Sequence, residues 1–243
     1  MKKIISLCLL SLFLLSLMAS FGFSQKAADI LEKMIEAQGG RKILESIKDV
    51  TLKVSIESDL PKQPMPTGMS SSMTWYKKEP NKMRMDVEAT GMGKRTVLIK
   101  ATDGETAWDN LYGPGPGGTR EMHEERAKAW KRNALGYDAL LHPEKYGIIY
   151  SYEGREKIEG KKDYFVLEQT FSDGYKKTLY VDSETYLIYK TNGEIMSDYK
   201  KIDGVVVAHS ITSFRRGEES TKITFAEVKF NTGLEDSFFK RSK

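Results

Sequence analysis

The stretch YVDSETYLIYKTNGEIMSDYKKIDGVVVAHSITSF, residues 180–214, decides the fold class. Its short runs alternate apolar and polar residues, and Asn192-Gly193 and Asp203-Gly204 separate them. Alternation with a period of two is typical of half-buried strands, and Asn-Gly or Asp-Gly pairs are typical of tight hairpins. This region therefore predicts consecutive antiparallel strands.

The same pattern extends over the sequence that follows Tyr146. Turns centred on Gly160 and on Asp173-Gly174 complete a predicted β-meander. Its predicted strands are Ile148–Glu159, Tyr164–Phe171, Lys176–Asp182, Tyr186–Thr191, Met196–Ile202, Val205–Phe214 and Thr221–Phe230.

Before Tyr146 the sequence mixes helical and strand patterns. Apolar residues recur at helical spacing over Ala27–Gln38, where Gly39-Gly40 ends the pattern, and again briefly around Ile43–Ile47. A further helix is predicted over residues 121–135. The predicted strands are Val50–Ile56, Ser71–Lys77, Lys82–Ala89, Arg95–Ala101 and Glu105–Asp109.

This many strands in one sheet must curl or close. We therefore predict a mainly β fold with some α-helix, an incomplete, strongly curved antiparallel β-barrel covered by helices. The sheltered interior of such a fold is either a filled core or a ligand cavity.

The N-terminal segment has the pattern of a secretory signal. Lys2 and Lys3 precede an apolar run from Ile4 to Phe23, and small residues lead to a predicted cut between Ser24 and Gln25. We expect residues 1–24 to be removed and residues 25–243 to form a single exported domain without a linker. An uncleaved N-terminal anchor is the alternative. The only cysteine, Cys8, lies in the signal, so no disulfide is expected.

Composition and motifs argue against several functions. The net charge of +4 is small and includes Lys2 and Lys3, so nucleic acid is not an expected partner. His123, His142 and His209 are scattered, and no nucleophile-elbow motif occurs. We therefore expect no metal, no cofactor and no enzyme activity.

The methionines and tryptophans are candidates for a ligand-binding surface. Six methionines fall within residues 65–92. Methionine adapts to varied apolar ligands, but it also fills irregular cores, and both interpretations stay open. Alternation places Trp75 and Trp108 on the inward face, and Met65 and Met69 lie in a Pro-rich loop that suggests a flap. The candidate lining is Met73, Trp75, Met83, Met85, Val97, Ile99 and Trp108.

The order of several short motifs resembles a known family. WYKKEPN at residues 75–81 leads into MRM at 83–85, and DGETAW follows at 103–108. LYVDSETYL at 179–187 and DGV at 203–205 come later. Together with the predicted signal and the first helix, this order resembles the outer-membrane lipoprotein-sorting-protein family, which is LolA/LolB-like.

The resemblance implies an incomplete barrel with helical lids and one lipid-binding domain over residues 25–243. Carriers of the family bind lipoprotein acyl chains in the periplasm and pass them to the outer membrane. An arginine before the matched Pro-Asn helps them to latch the lid, and this chain has Glu79 there.

The expected function is therefore a periplasmic lipid or lipoprotein carrier-like protein. We expect a monomer that binds acyl chains, contacts the membrane transiently and has possible protein partners in the envelope. The alternative is a cell-envelope sensor or protein-interaction module on the same fold.

Overall fold

The computed structural model describes residues 25–58, 70–91, 93–113, 117–158, 160, 162–215 and 218–241. The predicted signal at residues 1–24 and the suggested flap with Met65 and Met69 lie outside the described residues.

Most of the described residues belong to antiparallel strands. The helices are α1 (residues 25–37), α2 (Arg41–Ser46), α3 (Glu124–Ala134) and α4 (Tyr137–Leu141), with 3-10 turns at Pro143–Tyr146 and Asp236–Phe239. The strands of the first half are β1 (Asp49–Ser58), β2 (Ser70–Lys78), β3 (Lys82–Gly91), β4 (Lys94–Thr102), β5 (Ala107–Tyr112) and β6 (Gly118–Glu121). The strands of the second half are β7 (Ile149–Ile158), β8 (Lys162–Thr170), β9 (Lys176–Asp182), β10 (Ile188–Thr191), β11 (Glu194–Ile202), β12 (Val205–Arg215) and β13 (Glu218–Phe230). The predicted class, mainly antiparallel β with few helices, is confirmed, and the LolA-like identity stays a prediction.

The chain divides into two compact units. The first contains the described residues up to Ala37 together with Glu144–Asn192. Its strands follow the order β10-β9-β8-β7. α1 packs its apolar side on this sheet, as its spacing predicts. The core of the unit consists of Ala27, Ile30, Met34, Phe165, Leu167, Leu179 and Val181.

The second unit contains Gln38–Pro143 and the described residues from Gly193 onward. Its strands follow the order β6-β5-β4-β3-β2-β1-β13-β12-β11. β1 pairs with the last strand of the chain, so that Val50 lies opposite Phe230. This pairing brings two strands that are far apart in the sequence together in one sheet.

The strand register separates two faces of this sheet. Leu52, Trp75, Met85, Lys100 and Asp109 are successive cross-strand partners and lie on one face. We call it the helix-side face, because α3 contacts β3, β4 and β5 and reaches Asp109 through Arg126. The opposite face carries Tyr76, Arg84, Ala101 and Trp108, which are also successive partners.

We call this opposite face the tail-side face, because the end of the chain covers it. The indole Nε1 of Trp108 donates to the carbonyl oxygen of Phe239 at 3.0 Å. Arg84 donates to the carbonyl oxygen of Phe238 at 2.9 Å and stacks its guanidinium on that ring. The 3-10 turn therefore holds the C-terminal segment against β3 and β5.

Two hairpin residues show why the predicted turn at Asp203-Gly204 forms. Both have positive φ, 49° and 89°, as a type I′ turn requires. A side chain at Gly39 would place its Cβ 2.7 Å from the Gly204 carbonyl oxygen. Glycine at position 39 therefore lets the chain after α1 pass directly over this hairpin. The N–H of Val206 donates to the carbonyl oxygen of Gln38 there.

Candidate functional site

A cavity of about 280 Å³ lies in the second unit. This volume is at the low end of the range of about 300–1,000 Å³ that is usual for ligand sites. Most of its lining is apolar. The lining residues are Gln38, Ile47, Asp49, Val50, Leu52, Lys77, Glu79, Leu135, Gly136, Tyr137, Leu140, Val207, Val228 and Phe230.

The floor of the cavity comes from β1 and β13, the first and the last of the described strands. Val50 lies opposite Phe230, and Leu52 lies opposite Val228. Alternation along β1 and β13 puts these four side chains on the helix-side face. The floor is therefore a continuous apolar surface that exists only because β1 pairs with β13.

The opposite wall is the cover segment, residues 135–141, which joins α3 to α4 and includes α4. Glu79 fixes its start, because Oε1 accepts the N–H of Tyr137 at 2.7 Å and Oε2 accepts the N–H of Asp138 at 3.2 Å. The N–H of Gly136 also donates to the carbonyl oxygen of Pro80 at 3.3 Å. A Cβ at Gly136 would overlap the Glu79 carboxylate, so the contact requires glycine there.

The far end of the cover segment has its own anchor. Arg41 Nη1 donates to the carbonyl oxygen of Leu141 at 3.1 Å. A cationic side chain at a helix C-terminus satisfies a free carbonyl and interacts favourably with the helix dipole. The cover is thus held by a carboxylate at one end and a guanidinium at the other.

Burial changes the electrostatics of the Glu79 contact. Desolvation raises the pKa of Glu79 above its ordinary value, although the N–H groups of Tyr137 and Asp138 and the charge of Lys77 oppose this. Burial also raises the pKa of the Tyr137 hydroxyl, and the Glu79 carboxylate adds to this shift. The cover segment is therefore held by the Glu79 carboxylate, which is partly removed from water.

Replacing Glu79 by glutamine should loosen the cover segment. A glutamine side chain has one carbonyl oxygen, so one of the two N–H groups of Tyr137 and Asp138 loses its acceptor. Hydrogen–deuterium exchange should become at least about 5-fold faster at these amides, because a bond to a charged acceptor contributes about 1.5–3 kcal/mol. Unchanged exchange in E79Q would show that the carboxylate does not hold the cover. Exchange in β7 and β8 of the first unit serves as the internal control.

The raised pKa of Glu79 also predicts a pH dependence of stability. Between the ordinary glutamate pKa and the higher value in the folded protein, the folded state binds more protons than the unfolded state. The Glu79 contribution to the free energy of unfolding is therefore fully present below this window and is lost as the pH rises through it. In urea unfolding, the free energy of unfolding of the wild type minus that of E79Q should fall as the pH rises through this window, because only the wild type titrates at this position. A difference that grows with pH would contradict this prediction.

The seven candidate lining residues divide between the two faces of the sheet. Met73, Trp75, Met83 and Met85 lie on the helix-side face, beside the cavity floor. Val97, Ile99 and Trp108 lie on the tail-side face. None of the seven is among the residues that line the cavity.

Trp75 lies on the strand next to the cavity floor. It is the cross-strand partner of Leu52, it packs edge-on against Phe225 at a centroid distance of 5.7 Å, and its Nε1 donates to the sulfur of Met73 at 3.1 Å. Trp108 shares a buried cluster with Ile99 and Ala101 on the other face. Alternation predicts an inward position for each of Trp75 and Trp108, and the register places the two residues on opposite faces of the sheet. Alternation shows which residues of a strand share a face. It does not show which face of the sheet that is, because the turn between β4 and β5 decides the face on which β5 presents each residue.

Sequence reasoning missed the cavity residues for two reasons. Val50, Leu52, Val228 and Phe230 were visible as alternating apolar positions, but their proximity depends on a pairing of distant strands. Leu140 lies in α4, whose five residues are too few for a helical period to be recognised.

Comparison with known proteins gives no match, since no protein-family model matches the chain and no curated protein is similar to it. In the described part of the chain, no helix is long and apolar enough to cross a membrane. Among the same residues, no group of three or more His, Cys, Asp or Glu side chains is arranged to hold a metal ion.

Proposed function

We propose that this protein is an exported carrier-like binding protein that takes up the acyl chains of lipids or lipoproteins. The observation that carries the proposal is the cavity between an apolar sheet floor and a separately anchored cover segment. Such a site binds an apolar ligand by shape and burial. Its proposed place of action is the periplasm, and its proposed partners are acyl lipids and envelope proteins.

The energetics of an acyl ligand fit this arrangement. Burial of each CH₂ group contributes about 0.8 kcal/mol relative to water, and a membrane provides nearly the same. A carrier therefore needs only a small change in cover closure to take up or release its ligand. Glu79, which stands at the position of the family arginine, would hold the closed state through two backbone N–H groups.

A titration with a fluorescent fatty acid tests the proposal. We expect saturable binding at one site for each chain, because one cavity accepts one acyl chain. Titration of the protein unfolded in urea provides the control for non-specific partitioning. Fluorescence that rises without saturation would contradict the proposal.

A second function, a protein-interaction module on the same fold, is favoured by one observation. Leu111 and Tyr112 at the end of β5 are 42% and 50% exposed. Large apolar side chains of this exposure suit a protein contact. Two results together would support this second function. The wild type would bind no fatty acid but co-purify with an envelope protein, and a Leu111→Ser, Tyr112→Ser variant would lose that protein.

A further inference from the structure

Lys100 is a half-buried lysine on the helix-side face, beneath α3. Its strand neighbours on this face are Met85 and Asp109. Among the described residues, the Lys100 ammonium forms no hydrogen bond or ion pair, and the Asp109 carboxylate acts on it through its charge alone. Partial desolvation of an ammonium group is unfavourable, and the contacts among the described residues do not compensate for it.

The obvious partner of Lys100 is already engaged. Asp109 is 4% exposed, and its Oδ1 pairs with Arg120 at 2.6 Å while its Oδ2 pairs with Arg126 at 3.6 Å. One carboxylate therefore faces three cations. Desolvation lowers the pKa of Lys100 and the positive charge of Arg126 lowers it further, although the Asp109 carboxylate opposes both effects. The surroundings of Asp109 therefore carry a surplus of positive charge.

The acidic residues of α3 do not neutralise the surplus. Glu124 and Glu125 both pair with Lys128, at 2.8 and 3.1 Å. One helical turn after Arg126, the indole Nε1 of Trp130 is buried and has no acceptor among the described residues. Among the described residues, neither the Lys100 ammonium on β4 nor the Trp130 indole N–H on α3 therefore has a hydrogen-bond acceptor.

A row of apolar side chains joins this charge to the cavity. The row starts at Leu52 on β1, which lines the cavity. It continues through the half-buried Trp75 on β2 and Met85 on β3, which are successive cross-strand partners. It ends at Lys100 on β4, the partner of Met85. Strands are spaced about 4.8 Å apart, so the row from Leu52 to Lys100 spans about 14 Å. An acyl chain that leaves the cavity along this row reaches the lysine with its polar end.

From this arrangement we infer that Lys100, with Arg126, binds the anionic head group of an amphiphile whose acyl chain lies over Met85 and Trp75 toward the cavity. The inference rests on the proposed function and names its ligand class, an acyl chain that ends in a carboxylate or a phosphate. Arg126 can turn toward the head group without leaving Asp109 unpaired, because Arg120 retains that carboxylate.

Calorimetric titration of the full-length expressed protein with dodecanoate, dodecyl phosphate and dodecanol tests the inference. We expect the wild type to bind at least one of the anions about 10-fold more tightly than the alcohol, since a charge-assisted contact contributes about 1.5–3 kcal/mol. The tighter of the two anions identifies carboxylate or phosphate as the head group. Equal binding of all three would overturn the inference but leave acyl binding intact, whereas no binding of any would overturn the proposed function as well.

Variants at Lys100 separate ligand binding from a structural role. Lys100→Met should abolish the preference for anions and raise the melting temperature, because it removes a partly desolvated charge that has no ion-pair partner among the described residues. Lys100→Arg should retain the preference, and Lys94→Met, at the exposed start of the same strand, should change neither property. A lower melting temperature in K100M, or an unchanged preference for anions, would overturn the assignment.

Discussion

Replacing Trp108 by alanine should lower the free energy of unfolding by about 3–5 kcal/mol, the usual cost of removing a buried tryptophan. Trp108 is 2% exposed and packs with Ile99 and Ala101. The substitution also removes the hydrogen bond from its Nε1 to the carbonyl oxygen of Phe239. Urea unfolding monitored by circular dichroism measures the change.

Two controls sharpen this prediction. Trp108→Phe keeps most of the apolar volume and loses only the N–H donor, so it should cost about 1–2 kcal/mol. Fatty-acid binding by folded W108A should match the wild type, because Trp108 lies on the tail-side face. A stability loss below about 1 kcal/mol would show that the C-terminal segment does not depend on this contact. Loss of binding in the folded variant would return Trp108 to the ligand lining.

Replacing Val207 by tryptophan should reduce acyl binding by at least about 10-fold, because the larger side chain occupies a cavity of about 280 Å³. An empty cavity accommodates added volume at a cost below the 1–3 kcal/mol that is typical of overpacking. Fluorescent fatty-acid titration measures the affinity, and thermal unfolding measures the stability.

Val206 provides the matched control for this substitution. It is the neighbouring residue of β12, and alternation directs its side chain to the other face. Val206→Trp should therefore leave the affinity within about 2-fold of the wild type. Equal affinities of V207W and the wild type would show that the acyl chain does not enter this cavity.

The sequence predicts most strands of this protein because alternation and turn residues are local properties. β9, Lys176–Asp182, has the predicted bounds, and the Asp203-Gly204 hairpin forms as the two residues predict. The short elements β6 and α4 were not predicted, since four or five residues do not establish a period.

The candidate site was harder to predict because it depends on long-range pairing and on the face that each strand presents. The pairing of Val50 with Phe230 builds the cavity floor, and nothing local to either residue indicates it. Within the sequence, Glu79 stands out only through the resemblance, which leads one to expect an arginine at this position. Its contact with Tyr137 could not be foreseen, because the carboxylate binds backbone N–H groups of a segment 58 residues away.

Native mass spectrometry of the protein from a periplasmic fraction, followed by lipid extraction, tests the central claim most directly. We predict an added mass that corresponds to one acylated ligand for each chain, present in the wild type and V206W and lost in V207W. A wild-type protein that carries no acylated ligand, and that binds no fluorescent fatty acid when one is supplied, would contradict the claim.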